Sequence, residues 1–210
     1  MIRKTQARNH FYDGWIYKQF IDPSLGGIRR RIAGIVPQGS RVIDIGCGTG
    51  DQLMHIAGQI STGVCVELSE TMVKTGSLQA EQQGIQNCEF QLADATSLAH
   101  LEDQSFDFAM SSMVIHEMPI EKRLPVLQEM KRLGKQLILV DWIHPQPSYI
   151  KLLGTHFIEF MAGWEHYSGF RSFMKHGGIP ALIETVGLEI LETQITTKGT
   201  IQLWICKSNY

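Results

Sequence analysis

The stretch Val42-Ile43-Asp44-Ile45-Gly46-Cys47-Gly48-Thr49-Gly50-Asp51 decides how the rest of the chain is read. Arg41–Ile45 has the β-branched, apolar character of a buried strand, with Asp44 as its only acid. Gly46, Gly48 and Gly50 then remove the side chains from alternate positions of a turn. Leu53, Ile56, Ala57 and Ile60 follow at helical spacing. A strand, a glycine turn and a helix start together form an anion-binding device. The first N–H groups of a helix are unpaired and carry roughly half a positive charge, and glycine lets a ligand approach the backbone.

Working outward, the chain alternates. Val64–Glu67 reads as a second strand, with Ser69 placed to cap the next helix. Cys88–Leu92 and Phe106–Ser111 are further strands. Lys122–Leu133 reads as a helix with Pro125 in its first turn and Gly134 as its C-terminal cap. Gln136–Trp142 is the most apolar strand. This order predicts a parallel sheet covered by helices on both faces. Leu188–Thr196 and Thr200–Cys206 are separated by Thr197-Lys198-Gly199 and predict a terminal antiparallel hairpin. Before the first strand, Leu25, Ile28, Ile32 and Ile35 share a helical face, and Arg29, Arg30 and Arg31 lie mostly off it as a solvated side.

The chain has 210 residues, 43% hydrophobic and 19% charged, with a net charge of −2. That suits one domain, residues 1–210. It gives no field that gathers nucleic acid or an anionic membrane surface. No apolar run is long enough for stable membrane insertion, and Met1-Ile2-Arg3-Lys4 lacks a signal-peptide core. A cytoplasmic protein is expected. Cys47, Cys65, Cys88 and Cys206 show no C-x-x-C spacing and read as free thiols. His144, His156, His166 and His176 are too far apart for a usual metal set, so no metal site is expected.

Two ligand classes use such a glycine turn. Dinucleotides use G-x-G-x-x-G, with a pyrophosphate over the turn. S-adenosylmethionine instead brings a carboxylate, an ammonium and a sulfonium. Here the third dinucleotide glycine is replaced by Asp51, and Asp44 precedes the turn, so two acids would face a pyrophosphate. Glu67 ends the second strand, 21 residues after Gly46, where it can accept ribose hydroxyls, and Asp94 ends the third. The set resembles the class I S-adenosylmethionine-dependent methyltransferases, whose first motif, hydrophobic-hydrophobic-Asp-x-Gly-x-Gly-x-Gly, is matched without a gap.

The resemblance runs over roughly residues 10–206. It implies a Rossmann-like, doubly wound, mostly parallel seven-stranded α/β sheet with a C-terminal antiparallel hairpin and a helical lid. It implies S-adenosylmethionine as cofactor and S-adenosylhomocysteine as product. The implied cofactor contacts are Asp44, Gly46, Cys47, Gly48, Glu67, Leu68, Asp94, Ala95 and Ser111, with Asp94 taking the adenine amino group. The lead-in Phe11-Tyr12-Asp13-Gly14-Trp15-Ile16-Tyr17 is similar to that of quinone, phospholipid and other small-molecule methyltransferases. Residues 1–36 would then fold over the cofactor, with Tyr12 and Tyr17 at its carboxylate, or else form an aromatic patch closing the core. One departure is the loop before the fifth strand, which keeps only Gly134-Lys135 where the family often has Pro-Gly-Gly.

The long crossover 143–180 carries Phe157, Phe160, Trp164 and Tyr167 and reads as core or as a lid and substrate insertion, lining an apolar pocket with Trp142. His116 follows the fourth strand at the ligand edge of the sheet and is the candidate general base, or else a residue shaping the loop. Methyl transfer is an in-line displacement that depends chiefly on alignment, worth about 7–11 kcal/mol, against about 10²–10⁴-fold for a base. The expectation is an enzyme acting on a small, partly apolar molecule. The alternative is a cofactor-binding sensor or partner subunit without transferase activity. A homodimer is compatible with the sequence, and no nucleic-acid partner is expected: Ser111-Ser112-Met113-Val114 stands where base aminomethylases carry Asn/Asp-Pro-Pro and an aromatic.

Overall fold

The computed structural model describes residues 22–161, 163–196 and 199–209. Helix α1 (Asp22–Ile35) leads to β1 (Arg41–Ile45), α2 (Asp51–Ile56), β2 (Thr62–Glu67), α3 (Glu70–Gln82), β3 (Cys88–Leu92) and β4 (Phe106–Ser112). A 3₁₀ turn, Ile115–Glu117, then precedes α4 (Ile120–Leu133) and β5 (Gly134–Trp142). Helices α5 (Tyr149–Met161), α6 (Trp164–Lys175) and α7 (Gly178–Val186) form the crossover to β6 (Glu189–Ile195) and β7 (Ile201–Lys207).

The seven strands form one sheet in the order β3-β2-β1-β4-β5-β7-β6. The β1–β2, β1–β4, β2–β3 and β4–β5 pairs are parallel, and β7 is antiparallel to both β5 and β6. The sequence expectation of a mostly parallel sheet with a terminal hairpin is therefore met. The carboxyl ends of β1 to β5 share one edge. Chain order reverses between β1 and β4, which is where open α/β sheets bind ligands. The central strands are buried on both faces: Val42, Ile43, Ile45, Ala109, Leu137, Ile138 and Leu139 have no exposed surface, as parallel strands flanked by helices require. Edge strand β6 is exposed throughout and carries Glu189 and Glu192, charges that discourage pairing with another edge. Glu192 also meets Arg31 of α1. Arg29 lies 3.7 Å from Asp51, and Arg30 is exposed.

Two local readings are corrected. Helix α4 begins at Ile120, so Pro125 falls in its second turn. Its missing N–H leaves the carbonyl of exposed Glu121 to water, a mild loss compared with a buried site. Gly134 is not a left-handed cap: its φ is −109° and it starts β5 directly. Packing explains the glycine, since a Cβ there would stand 2.7 Å from the Ala109 Cβ and backbone nitrogen.

Candidate active site

The glycine turn divides its labour. Gly46, Gly48 and Gly50 all have positive φ, 69°, 57° and 76°, which L side chains adopt at a cost. A Cβ on Gly46 would meet Val114 at 2.7 Å, and one on Gly50 would meet Phe90 at 2.6 Å. These two let the turn pack on its own protein. A Cβ on Gly48 would meet nothing within 4 Å; Gly48 faces open space. Helix α2 is only six residues long, shorter than the apolar stripe to Ile60 suggests, so the turn itself carries the binding geometry.

Around Gly48 the strand ends bring acids together. Asp44, on β1, is 2% exposed. Among the described residues its carboxylate takes no hydrogen bond and meets no cation. Burial, and then the charge of Glu67, push its pKa up to about 8. Glu67 ends β2 and is held in place: Oε2 accepts from Gly48 N at 3.1 Å, and Oε1 accepts from Leu68 N and Ser69 N, each at 2.8 Å. Oε2, with a single donor, keeps a lone pair for a further one. Leu68 itself is 64% exposed beside this clamp. Asp94 follows β3, next to half-buried Ala95. Its Oδ1 accepts from the backbone N and hydroxyl of Thr96, and its Oδ2 accepts from Lys122 Nζ at 2.7 Å. Lys122 and then Thr96 hold it down at about 2. Cys47 is a free thiol facing Cys65; their contact, burial and Asp44 all keep it protonated.

Ser111 does not line this cleft. It is 1% exposed and donates to Ile45 O at 3.0 Å, tying β4 to β1 beneath the turn. Tyr12 and Tyr17 lie outside the described residues.

The strand tip of β5 holds a different arrangement. His116 is 2% exposed in the 3₁₀ turn. Its Nδ1 is 2.6 Å from Asp141 Oδ1, and its backbone N donates to Asp141 Oδ2. Its Nε2 is 3.4 Å from Glu159 Oε1, which also accepts from Trp142 Nε1 at 2.7 Å. Burial opposes the imidazolium, but Asp141 and Glu159 outweigh it and hold His116 well above its ordinary value. Arg123, 3% exposed, donates to the carbonyls of Met118, His116 and Gly169. Two buried cations thus balance two buried acids. A Cβ on Gly169 would stand 3.0 Å from the His116 and Glu117 carbonyls, so that glycine lets α6 reach the turn. With its ring buried and both ring nitrogens facing carboxylates, the placement of His116 favours the loop-shaping reading over the general base.

Sequence reasoning missed Asp141, Glu159 and Arg123. Asp141 had a signal: like Asp44, it is an acid at the end of an apolar strand. Glu159 is the lone acid of an apolar helix.

The side chains read as lining a pocket over this crossover are placed differently. Trp142 is 2% exposed, and its Nε1 is bonded to Glu159. Phe157, Phe160 and Trp164 point outward, at 66%, 55% and 69% exposure. The buried residues of α5 are Thr155 and Glu159. Tyr167 is half-buried, with its ring 5.6 Å from that of His156 and 5.8 Å from the Arg171 guanidinium.

Residues 42–136 match the family described as "Methyltransferase domain". The sheet order and the acids around Gly48 agree with that match. Over these residues the chain is that of a class I S-adenosylmethionine-dependent methyltransferase domain. Its cofactor is S-adenosylmethionine. The orphaned Asp44 carboxylate beside Glu67, with open space at Gly48, fits a ligand that brings positive charge and hydroxyl donors. The chain is 29% identical to Methyltransferase GfsG of Streptomyces halstedii, covering 95% of this chain and 73% of that protein. It is 29% identical to the demethylmenaquinone methyltransferase of Listeria monocytogenes over 58% of this chain and 53% of that one. It thus spans about half the length of the latter. Among solved structures, a methyltransferase of Bacillus halodurans superposes with a TM-score of 0.67 at 18% identity, covering 88% of this chain and 98% of that one. The [4+2]-cyclase SpnF superposes with a TM-score of 0.64 at 15% identity, covering 87% and 80%. Among the described residues no helix is long and apolar enough to cross a membrane.

Proposed function

We propose that this methyltransferase domain moves a methyl group to a small, partly apolar acceptor by in-line displacement, as a cytoplasmic enzyme. The observation that carries the reading is the orphaned, buried Asp44 beside Glu67, with Gly48 open between them. S-adenosylmethionine supplies a methyl group already activated by a sulfonium charge. Asp44 and Glu67 would hold its cationic and hydroxyl groups, and the Gly48 backbone would let it seat closely. Asp94, fixed by Lys122 and Thr96, would take the adenine amino group. His116, Asp141, Arg123 and Glu159 hold the 3₁₀ turn and lid helix in place and exclude water from the β5 tip. No base is assigned; alignment in a dry site supplies the larger share of the rate.

The relatives support a small acceptor, since one is named for demethylmenaquinone. A second reading, cofactor binding without transfer, has support of its own. The same fold serves a protein titled a cyclase, and fold does not fix chemistry. Titration calorimetry with adenosylhomocysteine and with a nicotinamide dinucleotide tests the site: only the first should bind. Single-turnover transfer of labelled methyl to a cell extract separates the readings. Binding without any labelled product would overturn the first.

A further inference from the structure

A cavity of about 470 Å³ opens between the chain leaving β5 and helices α5 and α6, within the usual range of small-ligand sites. It starts two residues beyond the end of β5, at the same sheet edge as the glycine turn. Three features define its chemistry.

The first is charge. The described lining contains Arg171, His156 and His144 and no acid. Among the described residues Arg171 meets the Tyr167 ring and no carboxylate. Burial and then Arg171 hold His156 below its ordinary value, offset in part by Glu159. Arg171 is the permanent cation of this wall, and no acid of the described lining answers it. The second is an orphaned acceptor. Gln146 Nε2 donates to Thr200 O at 3.5 Å, while Gln146 Oε1 is buried with no partner. A buried acceptor left unmade costs about 1–3 kcal/mol. The third is an apolar wall, supplied by Tyr149 and Met174.

We propose that this cavity is a binding site for a small amphipathic carboxylate, its anion on Arg171 and His156, a hydroxyl or N–H donor on Gln146 Oε1, and its apolar body over Tyr149 and Met174. One permanent guanidinium with a weakly basic imidazole matches a single negative charge better than the double charge of a phosphate. Assigning this occupant as the methyl acceptor rests on the reading above; its binding chemistry does not.

The test is calorimetry on the full chain saturated with adenosylhomocysteine. The probes are 4-hydroxybenzoate, its neutral methyl ester and phenyl phosphate. The acid should bind at least tenfold more tightly than the ester and than phenyl phosphate. Arg171→Gln should weaken the acid at least tenfold and leave the ester unchanged, and Arg171→Lys should fall between. Because Arg171 is exposed, these variants should fold. As an independent readout, bound acid should raise the His156 titration midpoint in the NMR spectrum of the wild type and not of R171Q. Equal binding of acid and ester, an unaffected R171Q, or no binding of the acid would each overturn the proposal. Tighter phenyl phosphate would overturn its carboxylate assignment. A failure of adenosylhomocysteine to bind would overturn the methyltransferase reading instead, and the acid–ester comparison on that same protein would still judge the cavity.

Discussion

Asp44 and Asp141 stand at the tips of two parallel strands, each at the end of an apolar run, and both are buried, at 2% and 0% exposure. Their surroundings differ. Asp141 meets His116 at 2.6 Å and accepts the backbone N–H groups of His116 and Trp142. Among the described residues Asp44 has no such partner, and its one charged neighbour is another acid. The protein neutralises Asp141 from within and uses that charge to fasten α5 through His116 and Glu159. It leaves Asp44 for a cation from outside. A buried acid is thus no more a ligand site than a structural pin until its partners are known.

Removing the internal counterion should have the largest effect. Asp141→Asn leaves the His116 imidazolium without its main partner, and breaking a buried pair costs about 3–5 kcal/mol. Denaturant melts near neutral pH should show that loss. The sign also follows from linkage. The folded pKa of His116 is raised, so its contribution is fully present below the ordinary imidazole value and disappears as pH rises through the raised one. D141N should flatten that alkaline decline; an unchanged pH slope would mean the pair contributes nothing.

Asp44→Asn should do the reverse. Its folded pKa of about 8 lies above the ordinary 3.8, so the folded protein holds a proton that the unfolded chain releases. Retaining that proton therefore costs stability increasingly between about pH 4 and pH 8. In the absence of ligand, D44N should melt higher than wild type, with the gap widening across that window and level above it. Adenosylhomocysteine affinity should fall roughly 10–100-fold, the loss of one charged hydrogen-bonding partner. A variant that is both less stable and fully competent to bind would make Asp44 another Asp141.

The glycines sharpen the contrast within one turn. Gly46→Ala combines a left-handed backbone with a collision against Val114 and should cost about 2–3 kcal/mol. Gly48→Ala meets nothing and should cost about 1–2 kcal/mol, yet it should be the one that weakens adenosylhomocysteine binding. Thermal melts beside calorimetry would separate the two.

The cofactor half was legible because its signals are local. Three glycines in five positions and acids after strands β1, β2 and β3 follow from the backbone of a strand-turn-helix unit, and the alternation of elements supplies the register. The lid half was not legible, because its orientation is set by distant partners. The spacing of Ile150, Leu153, Phe157 and Phe160 describes an apolar face correctly, yet no pattern within α5 says that Trp142 and His116 wait for Glu159. With Glu159 turned inward, a buried indole N–H and a buried imidazolium are both satisfied, and each of them unmet would cost about as much as burying one apolar side chain gains.

That inversion makes the smallest effect the most telling one. Phe157 is 66% exposed, two residues from Glu159 on the opposite side of α5. If the helix turns its polar side inward, Phe157→Ser removes almost nothing from the core and should change stability by no more than about 0.5 kcal/mol. Were the apolar face turned inward, the same substitution would open a cavity costing about 3–5 kcal/mol. One melt distinguishes these values. Should the larger appear, Glu159 would lose its place beside His116, and the cavity wall built from α5 would have to be redrawn with it.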